Sequence, residues 1–401
     1  MRKKSPVISN HTFERLAKSA IDRNRIVGLT HNFYRYPARF SPTFASTAIK
    51  LFSKYGDIVL DPYMGGGTTI VEAIVAGRQA IGTDLNSLSV FLTKVKTTKL
   101  TSREKKSLCS WADQVIPQLS YRQPREDLNH FLLDLKTKNL TLSRARFIKK
   151  VVAGALHFID SLPSQNAKDF ARCAILKTSQ WALDGRKTHT SLKQFRHKLK
   201  QNLYEMLDQL YEFECALNSH CFEIKHPKLI ETDASLIDKA QIFAKSGIKA
   251  DLVVTSPPYP GLHILYHRWQ VNGRRETPAP YWIAGCEDGQ GDSYYNFGSR
   301  HQPCLHSYFE TSLRTLKAIC KVMRPGGIIV QMIAFSDPQT HLPRYLKNME
   351  KAGFEEVKLS SSITEYSDDL IWRNVPNRKW HATLKGNTSG SREVVLIHRA
   401  V

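Results

Sequence analysis

Short apolar runs alternate with stretches in which apolar residues recur at helical spacing. The apolar runs predict buried strands at residues 57–63, 79–84, 221–224, 229–233, 250–254, 328–333, 354–359 and 393–397. The helical spacing predicts helices at residues 42–55, 70–76, 88–99, 306–323 and 342–351. Because strands and helices follow one another in turn, we expect an open α/β sheet.

Two regions depart from this alternation. Residues 101–218 show helical periodicity, no strands and recurring basic residues, which predicts a helical insertion. The insertion would divide an α/β domain into residues 1–100 and 219–401. Residues 260–300 are expected to form a long loop without regular structure, and their many Trp, Tyr and Arg residues favour a functional role over disorder.

The net charge of the chain indicates what kind of partner it binds. Its 401 residues include 58 Lys and Arg against 36 Asp and Glu, a net charge of +22. Such an excess indicates a polyanionic partner, nucleic acid before membrane, and the helical insertion is a candidate for DNA contact. No apolar run approaches the about 20 residues of a membrane span, and no apolar segment of a signal peptide follows the basic N-terminus. We therefore expect a soluble cytoplasmic protein.

The seven cysteines are scattered and include no CxxC pair. The spacing of Cys215, His220, Cys221 and His226 matches no ordinary zinc site. We therefore expect neither a bound metal nor disulfides, as is usual in a reducing cytoplasm.

A glycine-rich turn, Asp61-Pro62-Tyr63-Met64-Gly65-Gly66-Gly67-Thr68, joins the first of the central strands to a helix. Glycines let the backbone approach a ligand closely, and a helix N-terminus offers N–H groups. The turn has neither the lysine of a P-loop nor the GxGxxG spacing of a dinucleotide site. Asp84 ends the next strand, where an acid can accept both hydroxyls of a ribose.

A second turn, Ser256-Pro257-Pro258-Tyr259, follows the strand at 250–254. Its prolines fix φ and donate no hydrogen bond, so the loop is stiff and its carbonyls point outward. A hydroxyl, a fixed carbonyl and an aromatic ring can together hold a planar heterocycle that carries an amino group. This turn is therefore the candidate site for such a group.

Together the two turns resemble the motifs of the amino-methylating DNA methyltransferases. The glycine turn is similar to their DPFxGxGT cofactor motif, with Tyr63 in place of Phe, and the second turn is similar to their (D/N/S)PP(Y/F) catalytic motif. Residues 31–40 look like the cofactor-flanking motif of the family, and residues 324–327 resemble its PGG turn before a late strand. The resemblance covers residues 25–100 and 220–401. It implies a Rossmann-like class I methyltransferase sheet with helices on both faces, S-adenosylmethionine as the cofactor and double-stranded DNA as the substrate.

The resemblance also implies roles for individual residues. Asp61, Gly65 and Gly67 would face the methionine part of the cofactor, Asp84 its ribose, and Asp233-Ala234 its adenine. The full set expected at the cofactor is His31, Tyr36, Pro37, Asp61, Pro62, Tyr63, Gly65, Gly67, Thr68, Asp84, Leu85, Asp233 and Ala234. The expected catalytic set is Ser256, Pro257, Pro258 and Tyr259. The cofactor motif precedes the catalytic motif in this chain, so the target-recognition region could be the helical insertion, the 260–300 loop or both. Within the 260–300 loop, DNA contacts are expected from Arg268, Trp269, Arg274 and Arg275.

The expected reaction is methylation of an exocyclic amine on a base that has left the duplex. Ser256 Oγ and the Pro257 carbonyl would accept its N–H groups, so that its lone pair points at the methyl group, and Tyr259 would stack on the base. In the family, Ser at the first position is typical of N4-cytosine enzymes, whereas Asp and Asn are typical of N6-adenine enzymes. We therefore expect a site-specific N4-cytosine methyltransferase of a restriction-modification system, with any cognate endonuclease acting separately.

Other interpretations stay open on these residues. An N6-adenine DNA methyltransferase, a methyltransferase acting on RNA or protein, and a non-catalytic DNA-binding protein on the same fold are alternatives. A nicotinamide-linked oxidoreductase is disfavoured by the missing GxGxxG, and cytosine-C5 chemistry is disfavoured because Pro303-Cys304 is not at a strand end.

Overall fold

The computed structural model describes residues 7–24, 26–36, 40–122, 137–140, 143–186, 188–220, 225–260, 268–271, 275–287, 297, 305–359, 370–374 and 392–401. The strands are β1 Val7–Ile8, β2 Ile58–Asp61, β3 Gln79–Asp84, β4 Lys228–Glu231, β5 Ala250–Thr255, β6 Trp269–Val271, β7 Arg275–Thr277, β8 Met323–Ala334, β9 Phe354–Glu356, β10 Lys358–Leu359, β11 Ile371–Asn374 and β12 Arg392–Ala400. The α-helices are α1 Asn10–Ile21, α2 Pro42–Phe52, α3 Thr68–Val75, α4 Ser87–Thr97, α5 Ser102–Gln114, α6 Ser143–Phe158, α7 Gln165–Leu183, α8 Leu192–Asn218, α9 Gln241–Ala244, α10 Ala279–Ala284, α11 His306–Val322 and α12 Pro338–Lys351.

The main sheet has the strand order β11-β12-β8-β5-β2-β3-β4, and β9 also pairs with β12. Strands β8, β5, β2, β3 and β4 run parallel, whereas β12 is antiparallel to β8, β9 and β11. The chain builds outward in both directions from β2, with β3 and β4 on one side and β5 and β8 on the other. Ligands of such sheets bind where the order reverses, beyond the carboxyl ends of the central strands. This arrangement confirms the expected class I methyltransferase sheet.

Both faces of the sheet are covered by helices, as predicted. Val59 of β2 belongs to one buried apolar cluster and Leu60 to another, because successive side chains of a strand point to opposite faces. The first cluster includes residues of α1 to α4, and the second includes residues of α11 and α12.

The described residues between 101 and 218 include the helices α5 to α8 and no strand, so the predicted helical character is confirmed for them. The longest of these helices begins with a capping box, in which Ser191 and Gln194 satisfy each other's backbone N–H groups. Phe170 and Phe195 belong to the same buried cluster as α1 to α4. The helical segment therefore thickens one face of the sheet, and its standing as a separate domain stays a prediction.

Three details differ from the sequence prediction. The glycine pair of residues 324–327 lies inside β8 and does not form a turn before it. The pairing of β8 with β5 shifts register there, and Gly326 takes a φ of +81°. Such an irregularity accommodates extra residues without ending a strand. Residues 260–300 contain regular structure, namely the β6–β7 hairpin and α10. The strand expected at 354–359 is divided, since β9 pairs with β12 and β10 pairs with β1. The strand expected at 221–224 lies outside the described residues.

None of the described helices has both the length and the apolar character needed to span a bilayer. Within the same residues, no group of three or more His, Cys, Asp or Glu side chains is placed to hold a metal ion.

Candidate active site

The two sequence motifs meet at the carboxyl ends of β2 and β5. These strands are neighbours, so Asp61 at the end of β2 and Thr255 at the end of β5 lie side by side. Thr255 Oγ1 donates a hydrogen bond of 2.6 Å to Asp61 Oδ1, and both residues are buried. Since Thr255 immediately precedes Ser256, this bond joins the glycine turn directly to the SPPY turn.

The glycine turn is shaped for close backbone approach. Gly65 and Gly67 have φ values of +46° and +76°, which residues with side chains rarely adopt. A Cβ on Gly67 would lie 2.6 Å from Thr93 Oγ1, so there is no room for a methyl group. The turn ends at Thr68, the first residue of α3, so the N-terminus of this helix lies beside the turn.

Two carboxyl groups border the glycine turn. Asp84 Oδ2 accepts from Gly65 N at 2.8 Å, and Asp84 Oδ1 accepts from Asn86 N at 2.9 Å, which holds the turn against β3. Burial raises the pKa of both Asp61 and Asp84 to about 6, although hydrogen bonds donated to these carboxyls act in the opposite direction. Both groups are therefore ionised at neutral pH and can accept hydrogen bonds from hydroxyl or ammonium groups.

Tyr36 packs over the glycine turn, where a Cβ on Gly65 would lie 3.1 Å from its Cε1 atom. Its hydroxyl lies 2.9 Å from Ser89 Oγ and accepts from Asn86 Nδ2 at 3.3 Å. Tyr281 OH of α10 donates to Asn86 Oδ1 at 2.9 Å, which ties α10 to this network. The sequence pointed to Tyr36 but not to Ser89, Asn86 or Tyr281, which complete this network. Asn86 could have been found from the sequence, because it occupies the N-cap position of α4, shortly after Asp84.

The flanking loop before the glycine turn is held from behind by a helix. His31 is buried, and its Nε2 lies 2.7 Å from Glu72 Oε1 on α3. His31 thus ties the loop to the helix that follows the glycine turn. Pro37 lies outside the described residues.

The segment after β4 lies next to Asp84. Thr232 N donates to the Asp84 carbonyl at 3.0 Å, and Asp233 caps the following turn by accepting from Ser235 N at 2.8 Å. Ala234 is buried beside it. The rest of the set expected at the cofactor lies within the two turns that follow β2 and β3: Pro62, Tyr63, Thr68 and Leu85.

Ser256 is half-buried directly after β5, and neighbouring side chains and strands orient it. Its hydroxyl donates to the Met332 carbonyl of β8 at 2.9 Å and lies 2.9 Å from the Tyr259 hydroxyl. Tyr308 OH donates to the Pro258 carbonyl at 2.7 Å, which fixes the second half of the turn. Pro257 is buried.

Tyr259 is 5% exposed and lies behind Ser256, with its hydroxyl donating to Glu393 Oε1 at 2.8 Å. Glu393 is 3% exposed, and Arg373, directly opposite it on β11, binds its other carboxylate oxygen at 2.7 Å through Nε and 2.6 Å through Nη2. The expected role of Tyr259 in stacking therefore differs from what the structure shows, because core side chains pack around its ring. Glu393 was missed because nothing in the sequence distinguishes it from a solvated acid at a strand end.

The residues expected to contact DNA divide between core and surface. Trp269 is 2% exposed, and its Nε1 donates to Tyr34 OH at 2.8 Å, so it is placed as a core residue. Arg275 is exposed on the β6–β7 hairpin, Arg268 is half-buried, and Arg274 lies outside the described residues.

Some basic residues of the helical segment serve the fold. Lys149 is buried, and its Nζ donates to Thr137 Oγ1 at 2.8 Å. Arg196 Nε donates to the Leu119 carbonyl at 2.8 Å. Lys149 and Arg196 therefore make contacts within the protein.

The edge formed by β2, β3 and β5 fits S-adenosylmethionine, the cofactor of class I methyltransferases. Asp61 and Asp84 supply ionised acceptors for ribose hydroxyls and for an α-ammonium group. The positive-φ glycines at 65 and 67 admit close backbone contact, and Tyr36 closes one side of the turn. These residues, with Asp233, would hold the cofactor.

The sheet has the strand order of a class I methyltransferase, and its SPPY turn lies beside the glycine turn. A family model described as DNA methylase (N6_N4_Mtase) matches residues 8–93, which include Tyr36, the glycine turn and Asp84. This part of the chain is therefore similar to the amino-methylating DNA methyltransferases, in agreement with the resemblance of the motifs.

Curated relatives match over short segments. The chain is 35% identical to the type II methyltransferase M.MvaI of Kocuria varians over 101 residues, which cover 22% of each chain. It is 34% identical to the DNA adenine methyltransferase YhdJ of Escherichia coli over 86 residues, 21% of this chain and 29% of that one. The chain thus matches under a third of the length of either relative. Among solved structures, TrmN from Thermus thermophilus overlaps with 92% of this chain and 52% of its own, at a TM-score of 0.34 and 9% identity.

Proposed function

We propose that the protein is a site-specific DNA methyltransferase that transfers a methyl group from S-adenosylmethionine to the exocyclic N4 of cytosine in double-stranded DNA. The observation that carries the proposal is the hydrogen bond from Thr255 to Asp61. It holds Ser256 next to the cofactor turn, so an amine bound at Ser256 would lie beside the ligand of that turn.

The chemistry required of the protein is orientation. An exocyclic amine is a poor nucleophile because its lone pair is conjugated into the ring, and the bound cofactor supplies an electrophilic methyl group. Ser256 Oγ and the Pro257 carbonyl accept the N–H groups of the amine and turn its lone pair out of the ring plane. Positioning and oriented dipoles of this kind need no covalent enzyme intermediate. The target base must first leave the duplex.

The choice of base rests on the residue at position 256. A serine there is typical of the N4-cytosine members of the family that the motifs resemble. N6-adenine is the second candidate, because a DNA adenine methyltransferase is among the relatives. Ser256 would accept an N–H group from either amine. The two substrates differ in the size of the ring that must fit beside Ser256.

DNA affinity would come from the basic surface of the protein. The net charge of +22 favours the phosphate backbone. The β6–β7 hairpin follows the SPPY turn in the chain and is anchored to the end of α7, since Gly185 N donates to the Gln270 carbonyl at 2.8 Å. Its exposed Arg275 is a proposed DNA contact.

The test is base-resolved sequencing of modified bases in DNA from cells that express the wild type, Ser256→Ala or Ser246→Ala. Ser246 is exposed and hydrogen-bonds to the Ile242 carbonyl, so its variant is a matched control. We expect N4-methylcytosine at one short motif in the wild type and the control, and its loss in Ser256→Ala.

Other outcomes separate the alternatives. N6-methyladenine in place of N4-methylcytosine would retain the mechanism and refute the interpretation of Ser256. If purified protein binds S-adenosylmethionine but leaves DNA unmodified, the proposal that DNA is the substrate is refuted. We also propose that a separate endonuclease recognises the same motif, and methylated plasmid should then resist cleavage at that motif.

A further inference from the structure

We propose that Tyr259 and Glu393 form, with Ser256, a relay that takes up the proton lost by the target amine. This inference rests on the proposed function, because it assigns a proton route to the same site. Ser256 would touch the amine, whereas Tyr259 and Glu393 act through it as positioning residues. Glu393 would thereby supply the carboxylate that Ser256 lacks.

The contacts form a continuous path from the sheet edge into the core. Ser256 Oγ lies 2.9 Å from Tyr259 OH, and Tyr259 OH lies 2.8 Å from Glu393 Oε1. Arg373 Nε and Nη2 hold the other oxygen of Glu393 at 2.7 Å and 2.6 Å. Ser256 is half-buried, while Tyr259 and Glu393 are buried, so the path leads away from solvent. A carboxylate paired in this way on one oxygen is fixed in orientation and can still accept on the other.

The direction of the hydrogen bonds suits an acceptor role for Ser256. Because the Tyr259 proton points at Glu393, the Tyr259 oxygen can accept the proton of Ser256. The Met332 carbonyl, 2.9 Å from Ser256 Oγ, is the alternative acceptor of that proton. In both arrangements the lone pairs of Ser256 are available to an amine N–H, and the arrangement in which Ser256 donates to Tyr259 is the one that carries a proton to Glu393. A chain that ends on a carboxylate polarises its members and makes Ser256 a stronger acceptor than an isolated hydroxyl.

The proton balance of the step is complete within these residues. As the amine nitrogen bonds to the methyl carbon, the electron pair of the broken C–S bond stays on sulfur and the nitrogen becomes cationic. The nitrogen then releases a proton to Ser256 Oγ, Ser256 passes its own proton to Tyr259, and Tyr259 passes its proton to Glu393. The products are a neutral methylated amine and a neutral Glu393, with both hydroxyls restored.

The first experiment detects the network without DNA or cofactor. Protein labelled with ¹³C at tyrosine Cζ gives a resonance for Tyr259 that is assigned by its loss in Tyr259→Phe. We expect Glu393→Gln to move this resonance toward the position of ordinary tyrosines, because donation to a carboxylate is lost. Glu355→Gln is the matched control, since Glu355 pairs with Arg399 at 2.7 Å on the neighbouring β9 strand. An unmoved resonance in Glu393→Gln would overturn the proposal.

The second experiment measures turnover on DNA that carries the motif methylated by the wild type. We expect Glu393→Gln and Tyr259→Phe each to lower kcat by about 100-fold or more, as for loss of a general base, while KM and S-adenosylmethionine binding stay unchanged. Glu355→Gln should keep the wild-type kcat. The double variant should lose no more than either single variant, since both interrupt one path.

The two experiments separate failure of the relay from failure of the proposed function. Independent, multiplicative losses in the double variant, or full activity in Glu393→Gln, would overturn the relay. If the wild type modifies no DNA, the proposed function fails, and the tyrosine resonance still decides whether the network exists. If Glu393→Gln does not fold because Arg373 loses its partner, the kcat of Tyr259→Phe is compared with that of Ser256→Ala instead. Equal kcat losses support the relay, and a wild-type kcat in Tyr259→Phe refutes it.

Discussion

Replacing Gly67 with alanine should both destabilise the protein and strongly weaken cofactor binding. Gly67 has a φ of +76°, and an added Cβ would lie 2.6 Å from Thr93 Oγ1 and 2.9 Å from Thr93 Cγ2. The left-handed backbone conformation disfavours alanine by about 1–2 kcal/mol. Forcing a methyl group into a filled space adds about 1–3 kcal/mol. We therefore expect the free energy of unfolding to fall by about 2–5 kcal/mol.

A matched control separates backbone strain from the steric clash. Gly247 has a φ of +63°, but an added Cβ there would meet no atom within 4 Å. Gly247→Ala should therefore lose only the strain, about 1–2 kcal/mol. Adding Thr93→Ala to Gly67→Ala removes the two nearest atoms and should recover most of the remaining loss.

Urea unfolding followed by circular dichroism measures these differences, and titration calorimetry measures S-adenosylmethionine binding. Gly67→Ala should bind the cofactor far more weakly than Gly247→Ala does. The steric reasoning is refuted if Gly67→Ala is no less stable than Gly247→Ala. The assignment of the turn to the cofactor is refuted if the folded Gly67→Ala protein binds it as tightly as the wild type.

Three further predictions concern buried titratable groups and the expected DNA contacts. Burial raises the pKa of Asp61 to about 6 from an ordinary 3.8, so its ionisation costs the folded protein up to about 3 kcal/mol above pH 6 and nothing below about pH 4. Asp61→Asn should therefore unfold at higher urea than the wild type at pH 8, with the gain disappearing at pH 4. Burial lowers the pKa of His398 to about 4 from 6.5, so the wild type should lose up to about 3 kcal/mol as pH falls from 6.5 to 4, and His398→Leu should lack this loss in urea titrations. Trp269→Phe should lower stability by about 1–3 kcal/mol without changing the salt dependence of DNA binding, whereas Arg275→Ala should reduce the salt slope by about 1 in fluorescence anisotropy.

The sequence by itself determined the features that depend on neighbouring residues. The helix predicted from residue 42 begins at Pro42 in the structure, where the Ser41 hydroxyl accepts from Thr43 N. The two turns were found as local patterns at strand ends, and together they indicated the family. Such signals are readable because helix caps, glycine conformations and proline turns are decided within a few residues.

The tertiary structure decided which distant residues share the site. Asp61 and Thr255 are 194 positions apart, and Tyr259 and Glu393 are 134 apart. Because β12 runs antiparallel to β8, the beginning of β12 reaches the edge where the parallel strands end, and this brings Glu393 behind Ser256. Trp269 likewise looked like a surface residue of a loop until the β6–β7 hairpin placed it against Tyr34. A sequence pattern records spacing along the chain, whereas burial and hydrogen-bond partners depend on strand order and direction, so only the folded chain identifies these residues.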